Sequence, residues 1–181
     1  MKLFSSSGEM NEEFQLAETE QRLMILSTTT GYQTRAFVEA ARELEVEVAF
    51  GSDRCHMLED PWRDGALALH FEDPEGSARR IADAAWQKPL HGIVALGDRP
   101  VSTLARACTL LGLPGHPVEA ADICRDKHWS RARLRAAGLN IPEFARFSLE
   151  MNPRNIVDGE GPPVGFPCVL KPLALSASRG V

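Results

Sequence analysis

Two lysines carry the clearest chemistry in the sequence. Lys127 stands early in a helical segment, and Lys171 follows the apolar run Phe166-Pro167-Cys168-Val169-Leu170, ahead of Ser176-Ala177-Ser178-Arg179-Gly180-Val181. A lysine leaving a strand beside a loop of small residues suits a phosphate. The ammonium supplies charge, while loop N–H groups and serine hydroxyls reach phosphate oxygens. The segment is not a P-loop, because Gly-x-x-x-x-Gly-Lys-Ser/Thr is absent. Taken singly, either lysine also fits a solvated surface charge, and Arg179 fits either a phosphate contact or loop solubility.

Other chemistries have less behind them. A dinucleotide site needs Gly-x-Gly-x-x-Gly after the first strand, whereas Thr28-Thr29-Thr30-Gly31-Tyr32-Gln33 holds one glycine. Asp53, near the end of the second strand, stands where a ribose-binding acid could sit, but an ordinary turn accounts for it better. Cys124 and His128 lie four apart on one expected helix and could offer two zinc ligands. A structural zinc takes four, and the sequence shows no second pair. Neither His-Glu-x-x-His nor a Gly-x-Ser-x-Gly elbow occurs.

The elements that must position these residues alternate. Leu23-Met24-Ile25-Leu26 reads as a strand buried on both faces. Ala36, Phe37, Ala40, Ala41 and Leu44 then recur at helical spacing as one apolar stripe. Strands are expected at 46–50, 66–71 and 93–96. Between the last two, Asp73-Pro74-Glu75 opens a helix, with Asp as N-cap, Pro in the first turn and Glu at the positive end of the dipole. A helix bearing Val101, Leu104, Ala105, Cys108 and Leu111 ends at Gly112. Strand–helix alternation of this kind means βαβ units and an open, doubly wound parallel sheet, an α/β fold. A further helix is expected over 122–137, stopped by Gly138 in a Schellman cap with Leu134 and Leu139 as its apolar pair. A strand over 145–149, a Pro/Gly-rich stretch over 151–165 and a terminal apolar strand follow. In such sheets ligands gather at the carboxyl ends of the strands, which nominates Thr29, Gly31 and Asp98 as substrate contacts; turn chemistry and helix capping explain them equally well.

Composition sets the outer bounds. The chain has 181 residues, 20 Lys plus Arg against 25 Asp plus Glu, and a formal net charge of -5, which argues against a surface that grips nucleic acid. No apolar run reaches the roughly 18–20 residues that cross a bilayer, so no membrane partner is expected. No secretory signal opens the sequence, and the four widely spaced cysteines read as reduced thiols of a cytoplasmic protein. Residues 1–20 are expected to be a polar acidic tail, with room for a short helix over 12–20. Because the sequence ends on Val181 inside an unfinished unit, it reads as cut.

Taken together, three segments resemble the N-terminal part of ATP-grasp enzymes, the carboxylate–amine and carboxylate–thiol ligases. Ala95-Leu96-Gly97-Asp98 with Leu104-Ala105 and Leu111-Gly112-Leu113-Pro114-Gly115 looks like the end of the family's pre-ATP-grasp, Rossmann-like domain. Asp126-Lys127 with Ala137-Gly138-Leu139 and Ile141-Pro142 looks like its Asp-Lys helix and stop. Phe166-Pro167-Cys168-Val169-Leu170-Lys171-Pro172 with 176–181 looks like its strand and phosphate loop. The resemblance covers about 22–181 and implies a pre-ATP-grasp domain over 21–118 and the start of an incomplete ATP-grasp α+β subdomain over 119–181. It implies ATP phosphate contacts at Lys127, Lys171, Ser176, Ser178 and Gly180, and ATP and Mg²⁺ as cofactors, with the metal ligands beyond residue 181. It further implies small-molecule carboxylate and amine substrates joined through an acyl-phosphate, and no catalysis by these residues alone. The alternative is a non-catalytic small-molecule-binding or interaction module. The loop holds only Gly180 after Lys171, fewer glycines than many relatives.

Overall fold

The computed structural model describes residues 21–28, 33–53, 66–157, 164–176 and 179–181. The expected tail, Thr29, Gly31 and Ser178 lie outside them. Four strands, β1 (Arg22–Ser27), β2 (Glu47–Ser52), β3 (Leu67–Ala68) and β4 (Gly92–Leu96), form one parallel sheet in the order β3-β2-β1-β4. Helix α1 (Thr34–Glu43) joins β1 to β2, α2 (Pro74–Gln87) joins β3 to β4, and α3 (Val101–Leu111) follows β4. The β1–β2 and β3–β4 crossovers run in opposite directions across the sheet. Right-handed connections therefore place α1 and α2 on opposite faces. The open, doubly wound α/β architecture expected from the sequence is present.

The core lies on the α2–α3 face. Met24, Leu26, Leu69, Phe71, Ala78, Ile81, Ala85, Ile93, Ala107 and Cys108 pack there. The alternation of the strand sends Ile25, fully buried, to the other face. Helix α2 starts as its sequence dictates, with the Asp73 carboxylate accepting from the Gly76 N–H at 3.0 Å and Pro74 in the first turn. Removing that cap would cost roughly 1 kcal/mol.

Several expectations need correction. The strand expected over 66–71 is only β3: Ser52 pairs with Ala68, and the chain then turns, with Asp73 N–H donating to the His70 carbonyl. Leu69 and Phe71 enter the core without extending the ladder. The expected stripe of α1 buries Ala41 alone, and Leu44 is 75% exposed. The single helix over 122–137 is two, α4 (Val118–Arg125) and α5 (Lys127–Ala136). Asp126 separates them in an extended conformation, because its carboxylate is used to cap α5 and accepts from His128 N–H and Trp129 N–H. Cys124 and His128 thus sit on different helices, not on one zinc-binding face.

Neither expected strand of the C-terminal part is a strand. Residues 145–149 and 166–171 have no ladder partner among the described residues, and Phe166, Val169 and Leu170 are exposed. A strand needs a neighbour to satisfy its backbone, whatever its side-chain pattern. A four-residue helix, α6 (Arg154–Val157), lies between these segments. The cap of α5 does form as read. Gly138 is left-handed (φ 75°), its N–H donates to Arg135 O, and Leu139 N–H donates to Leu134 O, the two bonds of a Schellman motif.

Candidate functional site

The ends of the sheet and of α5 provide two separate polar centres. The first is built on α5. Its N-cap, Asp126, leaves Lys127 in the first helical position. From there the Lys127 backbone N–H donates to the Leu173 carbonyl (3.2 Å), and the ammonium donates to Leu173 O (3.1 Å) and Leu175 O (2.6 Å). One ammonium proton remains without a partner among the described residues. The segment it holds closes on itself: Arg179 N–H and Nε both donate to the Ser176 carbonyl. Gly180 is left-handed (φ 72°), and a Cβ there would stand 2.9 Å from Pro172 Cγ, so both the backbone conformation and the close approach require glycine.

The structure thus seats Lys127 on Leu173 and Leu175, which Ser176 follows directly, while Gly180 lies against Pro172 of the same segment. Lys171 is exposed and has no partner among the described residues. The residues fit a polyphosphate in part: one free ammonium proton, an unpaired lysine and a turn of backbone. Among the described residues, no group of three or more His, Cys, Asp and Glu side chains converges to hold a metal ion.

The second centre crowns the carboxyl edge of the sheet, where Ala68, Ser52, Ser27 and Leu96 stand level. Asp98, nominated from the sequence, is exposed there; its carbonyl receives the Val101 N–H, and α3 begins without a side-chain cap. Its neighbour Arg99 was not singled out by the sequence. Arg99 Nη1 donates to Asp53 Oδ2 (2.8 Å), and Nη2 and Nε donate to Glu72 Oε1 (2.8 and 3.2 Å). Asp53 follows β2 and Arg99 follows β4, so this pair bridges two strands with β1 between them, a span of roughly 10 Å. Asp53 is therefore an ion-pair partner of Arg99. A charged loop directly after a buried strand was the signal available for Arg99.

A separate ion-pair cluster ties together the helices that precede α5. Arg106 Nε donates to Glu75 (2.6 Å), and its Nη1 and Nη2 donate to the two oxygens of Asp122 (3.0 and 2.8 Å), tying α2, α3 and α4 together. Hydrogen bonds from Arg106 hold the Asp122 carboxyl below the usual carboxylate range, against the opposing effect of burial. The hydrogen bond to Asp122 likewise raises the guanidinium above its ordinary value. These partners are 31 and 16 residues from Arg106 in sequence, and no local pattern marks them.

Residues 38–115 match the family model of the ATP-grasp N-terminal domain. Alanine–anticapsin ligase of Bacillus subtilis is 30% identical over 112 residues, 62% of this chain and 23% of the relative. An uncharacterized protein, y4rH, of Sinorhizobium fredii is 29% identical over 169 residues, 91% of this chain and 34% of its own. The crystal structure of an L-amino acid ligase from Bacillus licheniformis superposes with a TM-score of 0.58 at 26% identity, covering 70% of this chain and 32% of that one. Phosphoribosylglycinamide synthetase of Anaerococcus prevotii shares the fold, with a TM-score of 0.51 at 23% identity. These matches support the ATP-grasp superfamily for this chain, which spans about a quarter to a third of the length of the curated relatives it matches. Among the described residues, no helix is long and apolar enough to cross a membrane.

Proposed function

We propose that these residues are the front portion of a cytoplasmic ATP-dependent carboxylate–amine or carboxylate–thiol ligase, a first domain over 21–118 followed by the opening of the ATP-grasp domain over 119–181. The observation that carries this reading is the seating of the Lys127 ammonium on the Leu173 and Leu175 carbonyls, which draws one lysine-bearing segment onto another 46–48 residues away. When bound, ATP supplies a phosphoryl group that converts a carboxylate to an acyl-phosphate; an amine or thiol then attacks the acyl carbon and phosphate leaves. Lys127 offers its remaining ammonium proton to the phosphates, and Lys171 adds a second positive charge. Ser176, Ser178 and Gly180 belong to the loop that closes over them and excludes water. The names of the relatives favour an amino acid as one substrate. We place the Mg²⁺ ligands in the length of the relatives that this chain does not span, so the 181 residues alone do not turn over ATP.

The test begins with the intact mass of the protein as its own cells make it. A mass well above 19.9 kDa is expected; a product of 19.9 kDa would shift the reading to a non-catalytic binding module. In the longer protein, Lys171→Ala weakens ATP binding and nearly abolishes turnover. Its melting temperature stays almost unchanged, since the side chain is exposed and has no partner among the described residues. Normal ATP turnover by this variant would remove Lys171 from the phosphate site.

A further inference from the structure

We propose that Arg99 is a receptor for the carboxylate of a small substrate, with Glu72 as its displaceable partner and Asp53 as the residue that holds it in place. The proposal deepens the ligase reading by assigning a docking group on the first domain, and its test needs no ATP. Three observations lead to it. Arg99 lies at the carboxyl edge of an open parallel sheet and pairs across β1 from the β4 side to the β2 side. That is where the strand order reverses and where such folds keep their ligand crevice.

The two carboxylates on the guanidinium are also unequal. Asp53 is 15% exposed and takes Nη1 alone, whereas Glu72 is 72% exposed and takes both Nε and Nη2 on a single oxygen. The inner pair fixes the guanidinium, and the outer pair occupies the Nε–Nη2 edge. A free carboxylate can match that edge with two oxygens, in the parallel two-bond geometry that arginine favours, where Glu72 supplies one. Exposed ion pairs are weakly held, so Glu72 yields at little cost.

Finally, Glu72, once displaced, leaves its carboxylate beside the bound ligand, and the exposed Asp98 immediately precedes Arg99 in the chain. A zwitterionic amino acid would thereby gain a place for its ammonium that a simple acid does not use. The common chemistry is the carboxylate, and comparison of the two ligands separates the sources.

The experiment is a ¹H–¹⁵N titration of the 181-residue chain with sodium propionate and, separately, with L-alanine, without nucleotide. Saturable shifts are expected at the amides of Gly97, Asp98 and Arg99. Tighter binding of L-alanine identifies an amino acid as the ligand; equal or weaker binding identifies a simple carboxylic acid. Glu72→Gln removes the competing charge and should tighten propionate about two- to fivefold, the range set by an exposed ion pair. Arg99→Gln should weaken both ligands at least tenfold, and Arg99→Lys, which keeps the charge without the fork, should fall between. Should Arg99→Gln fail to fold, the gain in Glu72→Gln still decides, because a merely structural ion pair gives no gain on its removal. No saturable shift in either wild type or Glu72→Gln, unchanged binding in Arg99→Gln, or equal displacement by chloride would overturn the assignment. None of these results depends on whether the longer protein hydrolyses ATP.

Discussion

Replacing Arg106 with methionine keeps most of the apolar stem and removes the charge that ties α2, α3 and α4 together. Its side chain is 16% exposed, while Glu75 and Asp122 are 62% and 42% exposed. A charge-assisted hydrogen bond contributes about 1.5–3 kcal/mol, and breaking a fully buried pair costs about 3–5 kcal/mol. Here both carboxylates regain water when the guanidinium leaves, so the loss should be smaller, about 2 kcal/mol in total. For a chain of this size that lowers the melting temperature by roughly 4–8 °C. The effect also has a signed pH dependence. Arg106 holds the Asp122 carboxyl below its ordinary value in the folded chain. The stabilisation is therefore fully present above the unfolded value of about 4 and disappears as pH falls through the lower folded value. Thermal unfolding of wild type and Arg106→Met, followed by circular dichroism from pH 7 to pH 3, should show a gap that holds to about pH 5 and narrows below pH 4. A gap under about 1 °C at pH 7, or one as wide at pH 3 as at pH 7, would refute the role given to this cluster.

Two further outcomes follow from local structure. Asp126→Ala removes the carboxylate that receives His128 N–H and Trp129 N–H; it should cost about 1 kcal/mol and speed amide exchange in the first turn of α5, and unchanged exchange there would contradict the capping role. Burial raises the Cys108 thiol above its ordinary value, so at pH 8 a thiol reagent should label the exposed Cys124 and Cys168 well before Cys108. Equal rates for all three would show that α3 is not packed against the core as described.

The legible part of this fold is the part whose signals are local. Met24 to Leu26 and Ile93 needed only an apolar run between turns, and Asp73 with Pro74 needed only the arithmetic of a helix start; all of these formed as read. The break at Asp126 was not read from the sequence, because Arg125-Asp126-Lys127-His128 holds neither Gly nor Pro to mark a helix stop. A capping carboxylate competes with helix continuation, and here the cap prevails, since Asp126 satisfies two otherwise unpaired N–H groups of α5. Residues 145–149 and 166–171 show the opposite failure. Their side-chain pattern expresses a preference for extended backbone, but a strand is a property of a pair. Val169 and Leu170, 70% and 77% exposed, have no neighbour among the described residues to make them one.

The candidate site divides along the same line. Lys127, Lys171, Ser176 and Gly180 could be nominated as phosphate contacts from the sequence because such a site is marked by residue types at short spacing. What those residues do before any phosphate arrives was not legible, because Leu173 and Leu175 contribute only their carbonyls, which every residue has. That contact changes what Lys127 is. On the proposed reading, an ammonium with three protons, two of them held by the Leu173 and Leu175 carbonyls, would meet a phosphate from a position already fixed on that segment. Any movement of the loop toward a nucleotide must carry the lysine along or break those two bonds. Lys171, exposed, carries no such tie among the described residues. The two lysines, equivalent when read as charges in a sequence, therefore differ in the structure: Lys127 is tied to the Leu173 and Leu175 carbonyls, whereas Lys171 is exposed with no partner among the described residues.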